Sequence, residues 1–244
     1  MATLLPPAHP DVRVWLVDLD AGDTTASLAV LSADEAARAE RFVFDHHRRR
    51  FAACRAALRR ILADELRATP AALSFAYNAS GKPELHLALD GLRGAGRGVN
   101  QDAPSLRFNV SHSDRYALVA TTTAGAVGVD IEKTRPIEDV LRLARTAFST
   151  NELETLTALP AGVREAAFFA GWTRKEAYIK ARGEGIGRLA AIEVALTPGE
   201  PPRLIRVDDQ PGELERWSIQ ALSPVHGFAA AVCMEGRGHR FSPV

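Results

Sequence analysis

After Gly125 the pattern of this chain starts again. Before that point the order reads strand, helix, strands. After it, the order reads strand, helices, strands. A chain of 244 residues holds one large domain or two small ones. The restart divides it into an N-terminal half, 1–124, and a C-terminal half, 125–244. No clear residue-level repeat accompanies the restart, so duplication rests on element order alone.

In the first half, residues 12–19 read as a strand. Ser32-Ala33-Asp34-Glu35 has the form of a capping box and opens a helix that runs, with a break, to about residue 66. Residues 73–77 are a short strand. Asn78-Ala79-Ser80-Gly81-Lys82-Pro83 is a cluster of turn formers that presents Lys82 at a tip. Residues 91–104 read as a mobile loop whose glycines fit neither a dinucleotide nor a P-loop pattern. Strands at 106–110 and 116–122 flank a turn at 111–114. In the second half we expect a strand at 127–131 and helical segments at about 137–147, 150–158 and 163–182. Strands follow at about 192–197, 203–207, 216–222 and 227–234.

Charge and composition exclude several function classes. Thirty basic residues balance 30 acidic ones, so bulk electrostatics favour neither nucleic acid nor an acidic membrane. The apolar run at 228–234 is too short to span a bilayer, and residues 1–10 lack the pattern of a signal peptide. Cys54 and Cys233 stand alone in apolar settings, as thiols of a reducing compartment do. We expect a cytoplasmic protein.

Two stretches carry chemistry. In Gly128-Val129-Asp130-Ile131-Glu132 the carboxylates are two apart in a β-branched run, so both leave one face of a strand. Such a pair needs a cation or solvent to coexist. In Trp172-Thr173-Arg174-Lys175-Glu176-Ala177-Tyr178-Ile179-Lys180, helical spacing puts Trp172, Glu176 and Lys180 along one side, and Gly183 ends the helix. Taken alone, Glu176 and Lys180 are an ordinary helical ion pair. If the helix crosses the strand end, Asp130, Glu132 and Glu176 make an all-oxygen Mg²⁺ site. Ser111 and His112 suit a phosphate oxygen. As sequence neighbours on an extended segment they point to opposite faces, which argues against a nucleophile–base pair. The run from His46 to Arg50 is either a solvated face or a phosphate contact. Ser149-Thr150-Asn151-Glu152 is a second capping box, which by itself explains Glu152. Only four of the basic residues are lysines: Lys82, Lys133, Lys175 and Lys180. In an arginine-rich chain, these mark places where an ammonium differs from a guanidinium fork.

Together with Asn109-Val110-Ser111-His112-Ser113, Phe148-Ser149-Thr150-Asn151-Glu152 and Gly81-Lys82-Pro83, these motifs in this order resemble the 4′-phosphopantetheinyl transferases of the larger, surfactin-synthetase-activating type. The resemblance implies an α+β fold of two similar halves, a pseudo-dimer in one chain, with coenzyme A between them. It implies transfer of the phosphopantetheine arm to a serine of an apo acyl or peptidyl carrier protein. Asp130, Glu132 and Glu176 would be the Mg²⁺ ligands. Lys180 would pair with the pyrophosphate, and Glu176 or Glu152 would accept the serine proton. Lys82, Ser111 and His112 match positions that hold the phosphates of the adenosine half. Arg38 and Arg50 fall where coenzyme A meets basic residues, while Glu35 stands about where some members carry a lysine. The basic, amphipathic segment 133–145, with Arg135, Arg142 and Arg145, would dock the acidic carrier helix. A monomer is expected. The competing readings are a Mg²⁺-dependent phosphohydrolase or nuclease and a non-catalytic paralogue that binds coenzyme A or carriers.

Overall fold

The computed structural model describes residues 2–7, 9–86, 106–208, 210 and 212–236; the expected loop at 91–104 lies outside the described residues. In the first half come β1 (Ala2–Leu4), β2 (Val12–Asp18), α1 (Thr24–Leu28), α2 (Ala33–Glu40) and α3 (Asp45–Leu66). They are followed by β3 (Ser74–Tyr77), β4 (Pro83–His86), β5 (Arg107–Ser113) and β6 (Tyr116–Thr122). The second half has β7 (Val127–Lys133), α4 (Val140–Ala144), α5 (Thr150–Ala158), α6 (Ala161–Arg182), β8 (Ile192–Val194) and β9 (Leu204–Val207). It ends with α7 (Glu213–Arg216), β10 (Trp217–Leu222) and β11 (Phe228–Glu235).

The restart seen in the sequence is a repeat of topology. The first sheet runs β1-β2-β6-β5 and the second β10-β11-β7, all antiparallel. If β7 stands for β2, β10 for β5 and β11 for β6, the order β2-β6-β5 becomes β7-β11-β10. Each half also holds one 22-residue helix, α3 or α6, and one separate two-stranded hairpin, β3-β4 or β8-β9.

Period-2 side chains sort the strands into layers. Ala117 and Val119 of β6 pack with Cys54, Leu58 and Leu62 of α3. Leu118 and Ala120 turn the other way and join Val127, Val129, Ile131, Val232 and Met234 of the second sheet. The opposite face of that second sheet, through Ala231 and Cys233, meets Ala177, Tyr178 and Ala181 of α6. An apolar layer thus lies between the two sheets, and one long helix covers each outer face. Residues of α6 are buried almost all round over its second half, as expected of a helix enclosed on several sides.

The sequence expectations need three adjustments. Residues 111–113 do not turn; β5 continues through Ser113, and the turn falls at Asp114, whose φ is +51°. The helix at 137–147 shrinks to Val140–Ala144, capped by Asp139. The strand at 192–197 is only Ile192–Val194.

Glu35 is a core residue. It closes the α2 capping box on the Ser32 amide and accepts from the Nε atoms of Arg55 and Arg59, each at 2.6 Å. Burial alone would raise its carboxyl, but the Arg55 charge and the Arg59 hydrogen bond outweigh that and hold it below the usual range. Glu35→Ala leaves two buried guanidinium groups uncompensated and should lose about 3–5 kcal/mol in urea unfolding at neutral pH. A carboxyl lowered on folding stabilises above its ordinary value of 4.5 and loses that contribution as pH falls through the folded value. The gap between wild type and variant should therefore close progressively below about pH 4.5.

Candidate active site

The two halves meet at a seam between β5 and β7. These strands are the free edges of their sheets and lie side by side without a main-chain ladder. Side chains join them instead. The Val129 amide donates to Asn109 Oδ1 at 2.9 Å, and the Lys133 amide to Ser113 Oγ at 3.1 Å. Ser111 Oγ donates to Asp130 Oδ1 at 2.8 Å, and Ser113 Oγ to Glu132 Oε2 at 2.9 Å. Partners rise together along both strands, so the strands run parallel. Residues 109, 111 and 113 face β7, while His112 faces the other way, as alternation requires.

Helix α6 crosses β7 at close range. A Cβ on Gly128 would fall 2.0 Å from the Ala177 carbonyl oxygen and 2.3 Å from the Ala181 amide nitrogen. No side chain fits there, so Gly128 is what allows strand and helix backbones to touch. Two residues on, Asp130 therefore meets Lys180. Lys180 Nζ lies 2.6 Å from Asp130 Oδ1, 3.0 Å from Ser111 Oγ and 3.9 Å from Glu176 Oε2. Asp130 is 2% exposed, and its Oδ2 has no hydrogen-bond partner. Burial raises its carboxyl above the usual range, opposed by Lys180. Burial also raises Glu132 and Glu176, and each is raised further by its carboxylate neighbours. The three acids of the sequence reading thus feel one another. Among the described residues, no three such side chains are gathered closely enough to hold a metal as they stand. Unscreened carboxylates keep apart, and Lys180 neutralises only Asp130 at short range.

Three cavities border these groups. One of about 300 Å³ is lined by Phe42, His47, Arg50, Phe51, His112 and Asp114. Arg38 sits over the Phe51 ring and is close enough to His112 to act on it. Although the His112 side chain is exposed, partial loss of surrounding water, then the Lys180 and Arg38 charges, push its imidazole below its ordinary value. A second cavity, about 390 Å³, lies between the β3–β4 turn and α6, with Gly81, Lys82, Glu176 and Lys180 among its walls. A third, about 220 Å³, is mostly apolar, with Phe168, Trp172, Ile137 and Leu143 beside Glu132 and Arg135.

The structure therefore brings together Asp130, Glu132, Glu176, Lys180, Ser111 and His112, with Arg38 and Arg50 at the cavity beyond. Arg50 is engaged on both sides, with Asp20 at 2.7 Å and Asp114 at 2.7 Å; Asp114 in turn holds Lys133 at 2.5 Å. Lys82 is not displayed at a tip. It folds back, and its Nζ donates to the carbonyls of Lys180 (2.6 Å), Ala181 (3.3 Å) and Val127 (3.4 Å). Burial lowers its ammonium. It satisfies carbonyls at the end of α6, where a cation is favoured, and so ties the two halves.

Glu152 is not brought to the acidic cluster. Its carboxylate accepts from the Ser149 and Val194 amides, both at 2.9 Å, and from Lys175 Nζ at 2.5 Å. Lys175 is fully buried and lies over the Phe148 ring. It precedes Glu176 by one residue, about 100° around the helix, and so turns to a different side of α6. Sequence reasoning missed Asn109 and Ser113. The signal was polar residues at 109, 111 and 113 of a strand whose Phe108 and Val110 are apolar.

Comparison with known proteins shows the family. A family model described as 4′-phosphopantetheinyl transferase superfamily matches residues 126–233, and one described as 4′-phosphopantetheinyl transferase, N-terminal, matches residues 20–124. The chain is 41% identical over 230 residues to the 4′-phosphopantetheinyl transferase HetI of Nostoc sp., covering 93% of this chain and 89% of the relative. The chain belongs to the 4′-phosphopantetheinyl transferase superfamily. The transferase is also 26% identical over 227 residues to the human L-aminoadipate-semialdehyde dehydrogenase-phosphopantetheinyl transferase, covering 88% of this chain and 70% of that one. With Sfp of Bacillus subtilis the likeness is 38% over 85 residues, 35% of this chain and 37% of the relative.

The Glu152–Lys175 pair gives a direct test of structural against chemical roles. In the transferase, Glu152→Ala strands a buried ammonium and should cost about 3–5 kcal/mol in denaturant unfolding. The double variant Glu152→Leu with Lys175→Met should recover most of that loss. Turnover per folded molecule should stay within about threefold of wild type, since a loss of less than 1 kcal/mol in barrier is all a distant packing change requires.

Proposed function

We propose that the acidic end of β7 and the Glu176–Lys180 face of α6 form the reaction centre for moving phosphopantetheine from coenzyme A to a carrier-protein serine. The carrying observation is Asp130, whose Oδ1 meets Lys180 and Ser111 while its Oδ2 stays buried without a partner. A buried carboxylate oxygen left unpaired is costly, and an all-oxygen donor set suits a hard divalent cation. Asp130, Glu132 and Glu176 would hold Mg²⁺. When bound there, Mg²⁺ supplies positive charge to the diphosphate oxygens.

The chain's own groups do the rest. The basic cavity of Arg38, His112 and Arg50 receives the adenosine-side phosphates, with Arg50 exchanging part of its Asp20 and Asp114 contact. Ser111 offers its hydroxyl at the junction of that cavity and the acidic cluster. Lys180 passes from Asp130 to a diphosphate oxygen, a short swing for a flexible side chain already at the site. Glu176 accepts the serine proton, directly or through water. The serine oxygen bonds to the pantetheine-bearing phosphorus, the bond from that phosphorus to the bridging oxygen breaks, and adenosine 3′,5′-bisphosphate leaves. Positioning and charge neutralisation dominate such a transfer.

The carrier approaches the side of the apolar cavity beside Glu132. Arg135 lines it, and Arg142 and Arg145 of the following segment are exposed; together they complement an acidic helix. No helix among the described residues is long and apolar enough to cross a membrane. With two buried thiols and a fused pair of halves, the reading is completed by a cytoplasmic monomer of the larger, surfactin-synthetase-activating type.

Intact mass of an apo carrier after incubation with coenzyme A and Mg²⁺ tests the reaction. Wild type should add one phosphopantetheine, roughly 340 Da, and Glu176→Gln should fall by at least about 100-fold, the scale of a lost proton acceptor. No gain on fatty-acid or peptidyl carriers, with coenzyme A still bound, would favour a non-catalytic binder. Reversing charge at Arg142 and Arg145 together should raise the carrier KM about tenfold or more and leave the coenzyme A KM unchanged. An unchanged carrier KM would move the docking surface elsewhere.

A further inference from the structure

Ser113 stands at the end of β5 with its hydroxyl proton committed. Its Oγ accepts from the Lys133 amide at 3.1 Å and donates to Glu132 Oε2 at 2.9 Å. The amide takes the oxygen and thereby turns the hydroxyl proton toward the carboxylate. Glu132 is half-buried and two residues from Asp130 on the same face of β7, so like charge gives it reason to swing away. One fixed hydrogen bond opposes that movement and leaves Oε1 for a further partner. The same strand treats Asp130 alike: Ser111 gives it a hydroxyl at 2.8 Å, two residues earlier. Two hydroxyls on alternate positions of β5 thus meet two carboxylates on alternate positions of β7. Ser111 is shared with Lys180, whereas the Ser113 proton goes to Glu132 alone.

We propose that Ser113 is a positioning residue for Glu132, holding its carboxylate in the place from which it ligates the divalent cation. This rests on the metal-binding reading above. Ser113 itself touches neither the coenzyme nor the reacting atoms. Its role is to remove the freedom of a long acidic side chain beside a like charge. Groups that orient a metal ligand commonly matter about 10- to 100-fold in metal affinity.

Mn²⁺ in the presence of coenzyme A is the probe, with free Mn²⁺ counted by its electron paramagnetic resonance signal. Ser113→Ala should weaken Mn²⁺ binding about tenfold. Ser113→Thr, which keeps the hydroxyl, should restore it to within about threefold, well inside that loss. In a Glu132→Gln background, Ser113→Ala should add nothing further, the non-additivity expected of two groups acting as one. The carrier KM should be unmoved. Wild-type affinity in Ser113→Ala overturns the proposal. So does a loss that threonine fails to rescue, or one that adds in full to that of Glu132→Gln. Should the alanine variant not fold, Ser113→Cys, a weak donor of similar size, takes its place with the same expectation. A wild-type protein that transfers the arm but binds no Mn²⁺ overturns the metal reading and this proposal with it. One that binds Mn²⁺ tightly but transfers nothing overturns the transfer reading alone.

Discussion

Contact between the β7 backbone and the α6 backbone at Gly128 is the constraint from which the rest of the site follows. A strand and a helix normally stay apart by the thickness of their side chains. Here the space a Cβ would need is taken by the Ala177 carbonyl and the Ala181 amide. Small residues on both elements bring the strand's next outward side chain, Asp130, within 2.6 Å of a lysine on the helix. The acidic pair of the strand and the Glu176–Lys180 pair of the helix thus become one electrostatic unit. The burial that makes Asp130 costly is offset only in part by the Lys180 ammonium and the Ser111 hydroxyl.

The seam between β5 and β7 is the second requirement. Two exposed edges side by side usually zip into a continuous sheet or are kept apart by charge. Here they do neither. Asn109, Ser111 and Ser113 reach across with side chains, satisfying β7 amides and carboxylates in turn. Cavities flank the joined strands, one beside His112, one beside Asn109 and Val110, and one beside Glu132. Alternation then divides the work of β5. Its odd residues serve the acidic cluster, while His112 looks into the basic cavity.

Much of this was legible in the residues. Both capping boxes, Ser32–Glu35 and Ser149–Glu152, are present, and Gly183 ends α6 at φ +70°. These are local signals with local causes. The scarcity of lysine was also informative. Lys133, Lys175 and Lys180 each reach a carboxylate at 2.5–2.6 Å, and Lys82 gathers three carbonyls. What was not legible came from partners distant in the chain. Nothing near Lys82 says that it will fold back onto the end of α6, about a hundred residues away. Nothing near Glu35 announces Arg55 and Arg59, so a buried core acid resembled a missing phosphate contact. Glu152, explained locally by its capping box, is also held by Lys175 and the Val194 amide, both distant in the chain.

The repeat of topology has a consequence at its other edge. Twofold logic that sets β5 beside β7 would equally set β10 beside β2, giving two clefts per chain. Instead β1 pairs along β2, on the side away from β6. Ala2–Leu4 cover the edge where a twofold-related cleft would have opened. Among the described residues the two like halves are in this way made unequal at their edges: β7 is left open to β5, while its counterpart β2 is covered.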